Sequence, residues 1–252
     1  MRIPNLAIKP LRGVGEFYAM ALDTLVAIPR RPFAWREFWL QCWFVARVSV
    51  VPALLLAVPF TVLTAFTLNV LLLDFGAADA AGTGAGLAMA QLGPIVTVLV
   101  VAGAGATAIC ADLGARTIRD ELDALRVMGV DPIQTLVVPR VLAASLVAVL
   151  LSAVVSLATL IGSFFFSVFV QGVTAGYFVA GLTVLTSAED VFILLLKAGL
   201  FGLAAGLIGC YKGISAGGGP AGVGTAVNET VVFSFLALYV INLLVTAGQF
   251  GF

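Results

Sequence analysis

The chain has 252 residues, 62% of them hydrophobic and 10% charged, and its 13 basic and 13 acidic side chains cancel to a net charge of zero. Soluble domains carry roughly 25% charged and 45–50% apolar residues, so this composition excludes a secreted or cytosolic enzyme and places the chain in a bilayer. The neutral balance gives no electrostatic case for nucleic acid. The lack of histidine removes the commonest metal ligand and the usual general base near neutral pH, so no metal site and no cofactor are expected.

Residues 1–46 are expected to form cytoplasmic and interfacial helices ahead of a transmembrane domain over 47–252. After the breaker Pro29-Arg30-Arg31-Pro32, Trp35, Phe38, Trp39 and Trp43 recur at helical spacing, with Arg36, Glu37 and Gln41 between them. Tryptophans at headgroup level on an apolar face are the pattern of an amphipathic helix lying in the interface; a plain extension of the first span is the alternative. The first long apolar run starts only after residue 47, so no cleavable signal peptide is expected.

A spanning helix needs about 20 mostly apolar residues, and gaps between charges locate the candidates. There are 26 uncharged residues between Arg47 and Asp74, 32 between Asp79 and Asp112, 48 between Arg140 and Glu189, 14 between Lys197 and Lys212, and 23 after Glu229. These predict five spans, at 47–72, 87–111, 140–169, 190–211 and 229–250. Gln171-Gly172 and Gly176 interrupt the longest gap, and 177–188 is too short to cross, so that stretch is expected as a short surface helix. Pro52 and Pro59 in the first span and Pro94 in the second should loosen those helices. Seven of the 13 basic residues lie in 1–47 and four in 112–140; the last two are Lys197 and Lys212, and 73–86 and 170–189 have none. By the positive-inside rule the N-terminus and the 112–140 and 212–228 loops are cytoplasmic and the C-terminus is outside. The cysteines Cys42, Cys110 and Cys210 are far apart in apolar surroundings and read as buried, inert thiols.

The segment 112–140 concentrates nine charges: Asp112, Arg116, Arg119, Asp120, Glu121, Asp123, Arg126, Asp131 and Arg140. Thr117-x-x-Asp120 can cap a helix start, Gly129 after Met128 is a helix stop, and Asp131-Pro132 suits the cap and first position of the next helix. Ile118, Leu122, Leu125 and Met128 fall on one face of the intervening helix. Such a helix either docks into a groove on a soluble partner or folds back on its own bundle, and the pattern leaves both open.

The run Glu121-Leu122-Asp123-Ala124-Leu125-Arg126-Val127-Met128-Gly129-Val130-Asp131-Pro132, closed by Val138-Pro139-Arg140, resembles the signature of the MlaE/YrbE permease family. Gly105-Ala106, Ala111-Asp112-Leu113-Gly114, Gly209-Cys210-Tyr211-Lys212-Gly213, Gly217-Gly218-Gly219-Pro220 and Gly222-Val223-Gly224 extend the likeness over about 45–250. Asp112 departs from it, standing where a glutamate is expected. The resemblance implies an all-α integral membrane protein: five transmembrane helices preceded by an amphipathic interfacial helix, the MlaE-like permease fold. It implies a non-catalytic subunit of an ATP-driven ABC-type lipid transporter. The partners would be a cytoplasmic ABC ATPase dimer, a second YrbE-type permease, MCE-domain proteins and the lipid substrate. The actinobacterial Mce systems, which the Ala/Val/Gly-rich chain most resembles, imply import of fatty acids, mycolic-type lipids or sterols. The 113–138 segment becomes the coupling helix, with Arg119, Glu121, Leu122, Asp123, Leu125, Arg126, Met128, Gly129, Asp131 and Pro132 as its contact set. Glu121 and Asp123 are the foremost partner contacts, although Arg116 and Arg119 could instead pair with Asp120 and Asp123.

Asp112, Lys197 and Asn242 are the candidates for a lipid path or gate. Lys197 lies within the fourth span, where a charge costs roughly 2.5–3.5 kcal/mol on insertion scales. It either meets a lipid headgroup, snorkels to the outer interface, or pairs with Glu189 or Asp190. Gly199, Gly202, Gly206 and Gly209 make a small-residue face for close helix packing. Gly217 to Gly224 lacks the lysine of a nucleotide-binding loop and reads as a flexible turn. A secondary carrier would want paired acids in its spans, a scaffold would only anchor partners, and an intramembrane enzyme lacks the groups for chemistry.

Overall fold

The computed structural model describes residues 8–30, 32–76, 95–97, 99–185 and 187–249. Helix α1, Ile8–Ala27, turns Phe17, Met20 and Ala21 onto the core and leaves Val14, Tyr18, Leu22 and Leu25 exposed. It is the amphipathic helix that precedes the spans.

The expected interfacial helix at Trp35–Trp43 is not a separate element. Helix α2 runs unbroken for 40 residues, Trp35–Asp74. No breaker follows Trp43, and the inward stripe of Phe38 and Cys42 continues into Val45. At 1.5 Å per residue α2 is about 60 Å long, twice a hydrocarbon core of about 30 Å. As a candidate span it covers Trp35–Phe60, which includes the tryptophan turns. Pro52 and Pro59 lie inside the helix without ending it.

The second span, α3, covers Ile95–Thr117, with a π-helical stretch at Val101–Ala106. Pro94, the start of the expected 87–111 span and most of the 73–86 loop lie outside the described residues. A short helix α4, Glu121–Val127, leads to the third span α5, Ile133–Val170, which begins and ends in π-helical turns. The short helix expected after it is α6, Ala175–Leu185, whose Phe178 packs edge-on against Phe164 at 5.4 Å. Helices α7, Ala188–Ile214, and α8, Gly219–Gln249, complete the chain. Five helices, α2, α3, α5, α7 and α8, are long and apolar enough to cross a membrane.

Span ends differ from the charge gaps for one reason: several charges sit inside helices, paired. Helix α8 starts ten residues before Glu229, whose carboxylate accepts from Lys212 Nζ at 2.6 Å. Likewise α5 starts before Arg140, which is fully buried. The glycine-rich stretch is a turn only up to Gly218; from Gly219 it is the first turns of α8. A Cβ on Gly222 would run into the Gly217 carbonyl, so the turn folds tightly against that helix start.

Helix α5 is the centre of the bundle, flanked by α2 and α7, and α7 also packs on α3 and α8. The glycine face of α7 makes this possible. A Cβ on Gly202 would stand 2.6 Å from the Ala144 carbonyl of α5, and one on Gly209 2.6 Å from the Ala106 carbonyl of α3. The face thus seats two neighbours in succession. The three cysteines are buried and free.

Candidate functional site

The connector 118–132 forms a hairpin at one end of the bundle, held by caps at three points. Helix α3 closes at Thr117, whose hydroxyl reaches its own Leu113 carbonyl at 2.9 Å and the Gly213 carbonyl of α7 at 3.2 Å. The expected capping role of Thr117-x-x-Asp120 is not observed. Asp120 adopts a left-handed conformation (φ 57°) with no side-chain cap bond, breaking the chain sharply between α3 and α4. At the other end of α4 the Val130 amide donates to the Leu125 carbonyl and the Gly129 amide to Arg126, with Gly129 at φ 76°. That is a Schellman closure, and the positive φ explains why a glycine stands there. The Asp131 carboxylate then accepts from the Ile133 amide at 2.9 Å, capping the start of α5. Pro132, already helical at φ −64°, stands directly before its first residue, close to where the sequence predicts it.

The expected single apolar face is divided. Leu122 is 4% exposed and Leu125 packs on the core, so both fasten the hairpin to the bundle. Ile118 and Met128 fall in the turns outside the short helix and are exposed. With Val127, 87% exposed, and Met128, 67% exposed, the tip presents bare apolar side chains. Around them the charges pair locally: Arg119 with Glu121 at 3.1 Å and Arg126 with Asp123 at 2.8 Å. The anticipated pairs of Arg116 and Arg119 with Asp120 and Asp123 do not form, because the break at Asp120 destroys the four-residue register. Exposed pairs of this kind contribute at most about 1 kcal/mol each.

Beneath the hairpin lies a buried ion cluster. Arg140, 0% exposed, donates through Nη1 to its own Leu136 carbonyl at 3.0 Å. Its Nη2 reaches Asp112 of α3 at 2.7 Å and Glu37 of α2 at 3.2 Å. Arg116 holds the other Asp112 oxygen at 3.3 Å, and Gln41 donates to Glu37 at 2.8 Å. Asp112, a candidate for the lipid path or gate, thus sits in this cluster. Arg140, Glu37 and Gln41 were not singled out by sequence reading as a site, because Arg140 served only to mark the border of a span, and Glu37 and Gln41 only as polar residues between tryptophans. The available signal was one arginine and one acid, Asp112, at the borders of two apolar runs.

At the opposite end of the membrane helices Lys197 is 3% exposed and donates to the Thr246 hydroxyl of α8 at 3.0 Å. It does not snorkel: its side chain projects from the α8-facing side of α7 and is held between the helices. Asp190 instead closes a capping box with Ser187. Asn242 is half-buried one turn before Thr246. A further polar feature was missed, although its spacing is visible in the sequence: Ser152, Ser156, Thr159 and Ser163 form a buried hydroxyl stripe along α5. Among the described residues no cluster of three or more metal-ligating side chains occurs. The geometry places an exposed apolar tip, an ion cluster around the buried Arg140 and apolar helix faces on one bundle.

Comparison with known proteins agrees with this geometry. The family described as permease MlaE matches residues 38–247. A probable ABC transporter permease protein of Rickettsia bellii is 27% identical over 253 residues, covering 97% of this chain and 95% of that protein. One from Synechocystis is 34% identical over 152 residues, 60% of this chain and 58% of that protein's length, so there the match spans little more than half of the relative. The chloroplastic Arabidopsis thaliana protein TRIGALACTOSYLDIACYLGLYCEROL 1 is 29% identical over 160 residues, 64% of this chain and 46% of that protein.

Proposed function

The chain belongs to the permease MlaE family, and from that premise we propose that it is the non-catalytic membrane subunit of an ATP-driven lipid transporter, with hydrolysis performed by a dimer of cytoplasmic ATPases. The observation that carries the reading is the hairpin tip. Val127 and Met128 stand bare, ringed by charge pairs, on a connector capped rigidly onto the second and third spans. Apolar anchors with a charged rim are how a helix seats in a groove on a partner.

A second YrbE-type permease is supported by α2 and α8, whose outward faces expose long apolar side chains such as Leu55 and Leu243. Lipid cargo is supported by the Arabidopsis relative, which bears the name of a glycolipid, and by spans whose polar groups are few and buried. MCE-domain partners and import of fatty acids, mycolic-type lipids or sterols complete the proposal. So does an N-terminus on the cytoplasmic side with the C-terminus outside, a reading that rests on the distribution of lysine and arginine.

Replacing both tip acids, Glu121→Arg with Asp123→Arg, breaks both charge pairs and makes the rim wholly basic without touching the buried Leu122. The expected result is a permease that inserts and folds normally, yet no longer retains the ATPase on purification and no longer moves lipid. Normal lipid movement by the double variant would remove the coupling role from this hairpin.

A further inference from the structure

The hairpin is continuous with the second and third spans, so any push on it reaches α3 and α5 through the backbone. The first span has no such connection. Helix α2 begins after the elbow at 32–34, yet it packs along α5 and presents one of the large outward faces. A transporter that opens by moving its helices needs α2 to follow the hairpin.

Resting on the transporter reading above, we propose that Arg140 is a positioning residue that ties the first span to the coupling hairpin. Its guanidinium leaves α5 just past the hairpin and bonds Asp112 of α3 and Glu37 of α2 with the same Nη2 nitrogen. One cation thus joins three spans directly under the docking tip. Its own position is fixed by the Leu136 carbonyl, and the Glu37 carboxylate is held in place by Gln41. A second tie runs in parallel: Gln134, at the start of α5, donates to the Pro32 carbonyl of the elbow at 3.3 Å.

The physical character of the tie suits this task. A guanidinium–carboxylate contact is directional in a way that the packing of apolar helix faces is not. Pulling it apart leaves a charge buried without a counter-charge. The arrangement is also charge-balanced: Arg140 and Arg116 face Asp112 and Glu37, so no excess charge drives the helices apart. With the tie closed, α2 moves with the hairpin; with it cut, the hairpin moves α3 and α5 past a stationary α2.

The test compares the wild-type complex with a Glu37→Gln variant, both reconstituted with the ATPase in lipid vesicles, by lipid moved per ATP hydrolysed. Glu37→Gln cuts only the α2 side and leaves the Arg140–Asp112 pair intact. The expected result is a roughly tenfold fall in that ratio, within the usual range of coupling between separated sites, with Glu37→Asp recovering most of it. An unchanged ratio with less folded particle would make Arg140 a structural brace and overturn the proposal. Should Glu37→Gln fail to assemble, spin labels at the exposed Ile118 and Leu40 of the otherwise unaltered complex decide the matter. An unchanged separation on trapping ATP supports the tie, and a lengthened one overturns it. A wild-type complex that moves no lipid with ATP would instead overturn the transporter reading itself, and the tie with it.

Discussion

In the 2.7 Å contact of Arg140 with Asp112 the cation is wholly buried and its acid is held by a second arginine. Removing one partner of a buried pair leaves an uncompensated charge, which costs about 3–5 kcal/mol. Because Glu37 still faces Arg140 when Asp112 is removed, Asp112→Ala is expected to cost less than that, about 1–3 kcal/mol in thermal unfolding of the detergent-solubilised protein. Arg116→Ala touches the same carboxylate from a part-exposed position and should cost no more than about 1 kcal/mol. Equal losses would mean that the cluster is an ordinary surface network. In the sequence this arginine was visible but its role was not. Arg140 precedes 48 uncharged residues, which reads as a topological border, and the acids that meet it lie 28 and 103 positions away, at Asp112 and Glu37. Gly129 and Asp131 were the opposite case: a helix stop and a helix cap are local, so their neighbours in the chain sufficed.

Among the elements, α7 shows how a one-dimensional pattern becomes packing. The recurring glycines announced a close approach, and the structure assigns Gly202 to α5 and Gly209 to α3. Gly202→Val would drive side-chain atoms into the Ala144 carbonyl and Ala148. Overpacking typically costs 1–3 kcal/mol when side chains can give way. Here backbone must move, so a loss of at least about 3 kcal/mol, or of monodisperse protein on size exclusion, is expected. Gly224→Ala in α8 meets nothing within 4 Å and should be neutral or stabilising by up to about 1 kcal/mol. If the two variants behave alike, the glycine face does not set the α5–α7 contact. The same scale shows what charge gaps miss. They located all five spans but misplaced their ends, at Gly219 and Ile133 above all, since a paired charge can sit inside a helix. They also led to a separate helix being expected at Trp35–Trp43, where the run of inward residues simply continues.

For the whole molecule, composition alone fixed the solvent as a bilayer, and the order of spans and connector followed from charge. The proposed cargo and the direction of its movement rest on resemblance, because apolar helix faces look alike in one dimension and differ only in the space they enclose. The assembled picture is a five-span bundle centred on α5, with the capped 118–132 hairpin at one end and the Arg140 cluster beneath it. Lys197 lies between α7 and α8 towards the other end. Its most direct test is to purify the chain from its native membrane under mild conditions and determine the mass of the intact particle and of any lipid it retains. The account predicts one particle containing two permease chains, two ATPase chains and MCE-domain protein, with lipid bound. A chain that emerges alone, or only with copies of itself and without an ATPase, would contradict it.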